Sequence, residues 1–255
     1  MNRACENNPN LAKAWLEGSW DFTAGGAIDD LWRKEVHIIP RFKVPSGWYI
    51  DRAFDWGSSE PFSVGWWAEA NGEEVEMPDG SIFCPTRGSL IQIAEWYGTE
   101  KIGTNRGLKL SASDISEGII EIEINLMEGG WISTQPNPGP ADNQISEDRR
   151  TNQDTIEKEM SDKGVLWTKS NKSKGTRING LQLIRDRLQS SLKKEGPGIY
   201  FMQNCQSSIK TLPSLPRDPK EPDDVDTKSE DHVYDMTRYR VLAGNNRIIT
   251  GGSYY

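Results

Sequence analysis

Histidine is almost missing from this chain of 255 residues, which has only His37 and His232. That scarcity argues against a His-rich metal centre and against a Ser-His-Asp hydrolase. The three cysteines, Cys5, Cys84 and Cys205, are too far apart for a CxxC pair or a zinc pattern, so free thiols in a reducing compartment are expected. No Gly-Lys dipeptide occurs, so the stretch carries no Walker A loop and should not hydrolyse ATP by that route. Mean hydropathy is −0.69, and no apolar run approaches the roughly eighteen residues of a membrane span. The opening residues lack the apolar segment of a signal peptide. Neither a repeat nor a heptad array is visible. The expectation is a soluble cytosolic protein, either one large domain or one with a small appendage.

What the chain does have is acid. Asp and Glu number 38 against 30 Lys and Arg, a net charge of −8. That balance does not look like a nucleic-acid binder, but binding uses local patches, and a metal site concentrates acid. With so little His and Cys, any metal would be held mostly by carboxylates, which favours Mg²⁺ or Mn²⁺.

The stretch from Trp48 to Pro61 organises the rest. Trp48 to Asp55 reads as a buried strand with one acid at its end, costly unless a base or a metal ion answers it. Phe62 to Ala70 returns as a second strand, and Asn71-Gly72 marks a turn. Ile82-Phe83 and Leu90 to Tyr97 continue the sheet as an antiparallel meander. Ahead of it, Leu11, Trp15 and Leu16 give a short helical face, and Trp32 to Ile39 reads as an extended lead. Ile115, Ile119, Ile122 and Leu126 recur at helical spacing, while Ile120, Ile122, Ile124 and Leu126 also alternate as in a strand. A short strand is expected within 131–142, a polar helix at 151–163 and a strand at 164–168. Ile178, Leu181, Ile184, Leu188 and Leu192 form a helical stripe. A strand at 198–202, a long loop at 212–227 and a last helix from near Glu230 to Gly244 complete the chain. This order gives an α/β mixed sheet, an antiparallel meander plus parallel strands flanked by helices, which is the order of the ribonuclease H-like fold.

That architecture would bring acids together. Asp55 ends the first strand, Asp142 follows the fourth, and Asp231 and Asp235 share one face of the last helix at i, i+4. Shared carboxylates of this kind can hold two divalent ions for an in-line phosphoryl displacement, with His232 placed to orient or protonate. Singly, each residue has a plain reading: Asp55 in an Asx turn, Asp142 as a helix cap, Asp231 favoured by the helix dipole, Asp235 paired with Arg238, His232 simply packed. The basic loop residues Lys169, Lys172, Lys174 and Arg177 are either solvated or placed to grip a DNA backbone.

Five motifs in order carry a resemblance. Asn-Pro-Asn-Leu with Leu-Glu-Gly-Ser-Trp-Asp lies within 8–21, and Arg-Ala-Phe-Asp-Trp-Gly-Ser-Ser-Glu-Pro-Phe-Ser-Val at 52–64. Gly-Pro-Ala-Asp follows at 139–142, Arg-Ile-Asn-Gly-Leu at 177–181, and Glu-Asp-His-Val-Tyr-Asp-Met-Thr-Arg-Tyr at 230–239. The chain resembles the C-terminal nuclease domain of the large terminase subunit of tailed bacteriophages. The resemblance implies a ribonuclease H-like, metal-dependent endonuclease that cuts concatemeric double-stranded DNA during packaging in the host cytoplasm. Asp55 and Asp142 match the first two metal-binding acids. Asp231 and Asp235 both fit the third, with Asp235 preferred, and His232 matches a histidine of some members. The partners implied are DNA, a portal protein and a small terminase subunit, with no membrane. The family's N-terminal ATPase does not appear. Residues 1–22 then read as the end of such a domain, 23–46 as a linker, 47–244 as the nuclease and 245–255 as a flexible tail. A catalytically idle docking module and a transposase- or resolvase-type nuclease of the same fold are the alternatives.

Overall fold

The computed structural model describes residues 25–147 and 154–250, with side chains as far as residue 244. The helical face at Leu11, Trp15 and Leu16, and the rest of the expected lead-in, lie outside the described residues.

The meander forms first. Strands β2 (Tyr49–Asp55), β3 (Ser63–Glu69) and β6 (Leu90–Tyr97) pair antiparallel in sequence. Parallel partners flank them: β9 (Ile199–Met202) on β6, β1 (Ile38–Ile39) on β9, β7 (Pro140–Ala141) on β2, and β8 (Thr168–Lys169) on β7. The sheet order is β1-β9-β6-β3-β2-β7-β8.

Side chains alternate across the sheet. Ile50, Arg52 and Phe54 of β2 face the layer of α2 (Ala112–Glu128) and α3 (Ile156–Asp162). Asp51, Ala53 and Asp55 face the layer of α4 (Thr176–Lys193) and α6 (His232–Thr250). Helices cover both faces, so β2 and β3 are buried nearly throughout. α6 comes close enough to the sheet that a Cβ on Gly65 would stand 2.5 Å from Met236 Sδ.

The helical reading of 112–128 is the observed one. Ser111 and Asp114 form a reciprocal capping box, Ser111 Oγ accepting from Asp114 N–H and Asp114 Oδ2 from Ser111 N–H. Glu123 on this helix is buried against Arg52 Nη1 at 2.8 Å and also accepts from Trp66 Nε1 at 3.0 Å.

Several expectations change. Ile82–Phe83 (β5) does not extend the main sheet; it pairs with Val75–Glu76 (β4) in a separate two-stranded ribbon. Trp32 to Ile39 is not a plain extended lead. It holds the helical turn α1 (Lys34–His37) and then β1, which joins the sheet, while Ile28 and Trp32 are core residues. The strand expected at 164–168 lies later, at Thr168–Lys169, because only there does the chain reach β7. Gln206–Thr211 (α5) precedes the long loop, which is tied down by antiparallel bridges Gly26–Pro216 and Arg217–Val225. α6 does not end by Gly244 but continues to Thr250. Among the described residues, no helix is long and apolar enough to cross a membrane.

Candidate active site

Register delivers the first two acids. β2 and β7 run parallel with Phe54 opposite Ala141, and Asp142 N–H donates to Phe54 O at 2.9 Å. Asp55 and Asp142 are each the next residue, so they leave the ends of adjacent parallel strands on the same side of the sheet. That side faces α6. The approach of β7 depends on Gly139, where a Cβ would fall 1.9 Å from Arg52 O. Asp142 also caps a short 3₁₀ turn, accepting from Gln144 N–H at 2.9 Å.

α6 supplies the rest. Asp235 N–H donates to Asp231 O at 2.8 Å, placing both acids at its first turn. His232 Nδ1 lies 3.1 Å from Asp55 Oδ2, and Nε2 lies 3.0 Å from Asn105 Oδ1. Asn105 has a φ of +50°, a left-handed conformation Asn tolerates well. The same loop is held by Glu230, which accepts from Tyr97 Oη at 2.8 Å and from Gly103 N–H at 2.6 Å. Asp55 and Asp142 are buried, at 4% and 5% exposure.

Burial pushes the Asp55 carboxyl up to about 7; the charges of Asp235 and Asp142 add to the rise, and His232 opposes it. Burial also lifts Asp231 to about 7, with Asp235 adding and His232 and Arg177 opposing. For His232, burial works downward, but the Asp55 hydrogen bond and the charges of Asp55 and Asp231 outweigh it, and the net direction is up. Tyr239 is pushed far up by burial and by Asp55, Asp235 and Asp142 together. The fields of the three carboxylates therefore meet at one end of the sheet.

Cations answer the outer acids. Lys172 Nζ bonds Asp142 Oδ1. Arg238 Nη2 lies 3.1 Å from Asp235 Oδ1. Arg177 reaches Asp224 at 2.8 Å, Asp235 at 3.6 Å and Asp231 at 3.7 Å. All of these but Asp231 line a cavity of about 530 Å³ beside the strand ends. Of the four basic loop residues singled out by sequence, Lys172 and Arg177 thus belong to the acid cluster, while Lys169 and Lys174 are exposed.

The donor chemistry fits a hard divalent cation. Asp55, Asp142 and Asp235 offer only carboxylate oxygens, and the Asp55 carboxyl, raised first by burial and then by the charges of Asp235 and Asp142, is one whose ionised form a cation would favour. Among the described residues, no three His, Cys, Asp or Glu side chains are grouped closely enough to hold a metal ion as they stand. Lys172 and Arg238 hold two of the acids instead. Sequence reading did not anticipate Arg177 as an acid partner, nor Asn105, Asp224 or Glu230. Only Arg238 carried a local signal, its i+3 spacing from Asp235.

Solved structures share this arrangement of elements. The large terminase of a thermophilic bacteriophage superposes with a TM-score of 0.58 at 17% identity, covering 88% of this chain and 45% of that protein. The nuclease domain of the phage P22 large terminase superposes with a TM-score of 0.57 at 14% identity, covering 86% of this chain and 92% of that domain. The fold is ribonuclease H-like. The chain thus spans less than half of the full-length terminase it matches. No family model matches the chain, and no curated protein sequence does.

Proposed function

We propose that this chain is the nuclease part of a bacteriophage DNA-packaging terminase and hydrolyses phosphodiester bonds of double-stranded DNA. The observation that carries the reading is the pairing of β2 with β7, which sets Asp55 and Asp142 at adjacent parallel strand ends facing α6, the helix that bears Asp235. The likeness of fold to phage large terminases supports it, as does the ordered set of motifs in the sequence.

Asp55, Asp142 and Asp235 would hold Mg²⁺ or Mn²⁺. Bound there, such ions would supply activation of the attacking water and charge neutralisation at the leaving oxygen. The chain's own groups do the remaining work. His232 holds the Asp55 carboxylate in place and can carry a proton at Nδ1, while Asn105 fixes the ring through Nε2. Asp231 stays near Arg177 and serves as an outer acid. Lys172 must release Asp142 before that oxygen can ligate a cation, and its ammonium is then free for a DNA phosphate. Exposed Lys169 and Lys174 lie on the same loop and extend the basic surface. Portal protein and small terminase subunit are the partners this role implies, with the host cytoplasm as its setting.

The test is cleavage of supercoiled plasmid with Mn²⁺ by the wild-type chain and by Asp55→Asn. The expected result is nicking and linearisation by the wild type, absent in EDTA and absent in the variant. Equal cutting by both proteins would remove Asp55 from the site, and no cutting by either would refute nuclease activity in this chain.

A further inference from the structure

A second cavity, of about 450 Å³, opens at the other end of the sheet. It lies beside Tyr49, the first residue of the strand that Asp55 ends. At about 3.3 Å per residue the two cavities stand roughly 20 Å apart. No residue lines both.

Its wall is arginine-rich. Arg187 and Arg87 line it, and Arg240 lies behind its Gly244 wall. Arg240 is wholly buried; Nε bonds Asp51 at 2.6 Å and Nη2 bonds Glu69 at 3.0 Å, but Nη1 has no hydrogen-bond partner among the described residues. A buried N–H without a partner is costly and is ordinarily answered. Arg187 Nη1 donates to the carbonyls of Gly88 and Gly198, at 2.9 and 3.3 Å, and Arg187 bonds no carboxylate among the described residues. Burial, and then the charge of Arg240, push Arg187 down to about 10, with Glu69 opposing; Glu69 also lines the cavity, but its carboxylate is engaged by Arg240. Arg87 is exposed at the rim and has no hydrogen bond or ion pair among the described residues.

Gly244 keeps the guanidiniums open. A Cβ there would stand 3.4 Å from Arg240 Nη1 and 3.8 Å from Arg187 Nη2, in ordinary contact with both. Glu73 lies on the opposite rim, 3.7 Å from the Cβ position of Gly47. A carboxylate there disfavours a polyanion lying flat across the mouth and favours one small oxyanion group seated against the arginines.

We propose that this pocket is a binding site for a single phosphate-type oxyanion, gripped by Arg187 and Arg87 beside the unpartnered Nη1 of Arg240. Arginine suits the task, because its planar fork matches two phosphate oxygens at once. The group could be free inorganic phosphate or one phosphate of a DNA backbone; the chemistry is shared, and the test separates the sources.

The test is calorimetric titration of the full chain, without divalent metal, by inorganic phosphate and separately by a short DNA duplex. The variants are Arg87→Gln and Gly244→Ala. Alanine favours the helix, so the second variant should fold at least as well as wild type, which thermal melting checks, while its methyl covers the two guanidiniums. The wild type should bind phosphate, and each variant should lose about tenfold in affinity. A parallel loss for the duplex identifies a backbone phosphate as the ligand; an unchanged duplex affinity identifies the free anion. No phosphate binding by the wild type, or equal binding by wild type and both variants, would overturn the proposal. Neither variant touches the carboxylate cluster, so this failure is distinct from a failure of the nuclease reading.

Discussion

Gly139 offers a direct way to move one acid without deleting it. Its Cβ position lies 1.9 Å from Arg52 O. The oxygen is backbone and the position of a Cβ is fixed by the backbone, so no side-chain rotation relieves the clash. A carbon and an oxygen sit comfortably at roughly 3.3 Å, so Gly139→Ala must part β7 from β2 by about 1.4 Å. Asp142 follows three residues later and is tied to β2 through its own N–H on Phe54 O. Misplacing a catalytic group by about 1 Å costs on the order of a hundredfold in rate. Overpacking costs stability as well, about 1–3 kcal/mol. Gly164→Ala is the control. Gly164 has a φ of +88° with nothing near its Cβ position, so alanine there strains the backbone by about 1 kcal/mol without moving Asp142. Plasmid cleavage rates in Mn²⁺, with urea unfolding of each protein, separate the effects. The expected outcome is a loss of about a hundredfold for Gly139→Ala, with both variants folded at the assay temperature, and near wild-type cutting by Gly164→Ala. Wild-type cutting by Gly139→Ala would refute the reasoning that β2–β7 pairing positions Asp142.

Three further outcomes follow from the same structure. Glu123→Ala leaves Arg52, 3% exposed, buried without its carboxylate and should cost about 3–5 kcal/mol in urea unfolding, whereas Glu117→Ala, which breaks the exposed pair with Lys163, should cost under about 0.5 kcal/mol. His37 is buried and neutral, with Nε2 donating to Leu188 O at 3.0 Å and Nδ1 accepting from Arg33 N–H at 2.9 Å, and burial holds its pKa below the usual 6.5. The unfolded chain therefore takes up a proton below pH 6.5 more readily than the folded chain, so stability falls as pH falls through that range; between pH 7.5 and 5.5 the wild type should lose more stability in urea unfolding than His37→Gln, and an equal loss would count against a depressed His37. Lys172→Met frees Asp142 from a competing ammonium, a partly exposed pair worth about 1 kcal/mol, and should tighten Mn²⁺ binding about fivefold by calorimetry; unchanged or weaker binding would count against Lys172 as a competitor.

The parts of the fold legible in the sequence are those with long runs or periodic patterns. β2, β3 and β6 are mostly buried runs of seven or eight residues bounded by turn signals, and α4 shows its stripe at Leu181, Ile184 and Leu188. Two-residue strands such as β1, β7 and β8 have no period to read; they exist because a neighbouring strand offers unpaired carbonyls and N–H groups. The β4–β5 ribbon was misplaced for the same reason. For the site, strand ends and i, i+4 spacing were enough to single out Asp55, Asp142, Asp231 and Asp235. The groups that answer those acids depend on tertiary placement. Lys172 reaches Asp142 across thirty positions, and Asn105 meets His232 from a loop with no pattern at all. Arg52 and Glu123 lie in different elements, and nothing local marks either as half of a buried pair.

The central claim is that Asp55, Asp142 and Asp235 together hold divalent metal. Anomalous diffraction from crystals of the wild-type chain soaked in Mn²⁺ tests it most directly. The expected result is manganese density at the ends of β2 and β7, within bonding distance of those three carboxylates, with Lys172 displaced from Asp142. An empty cluster at saturating Mn²⁺, or manganese bound only elsewhere on the surface, would contradict it.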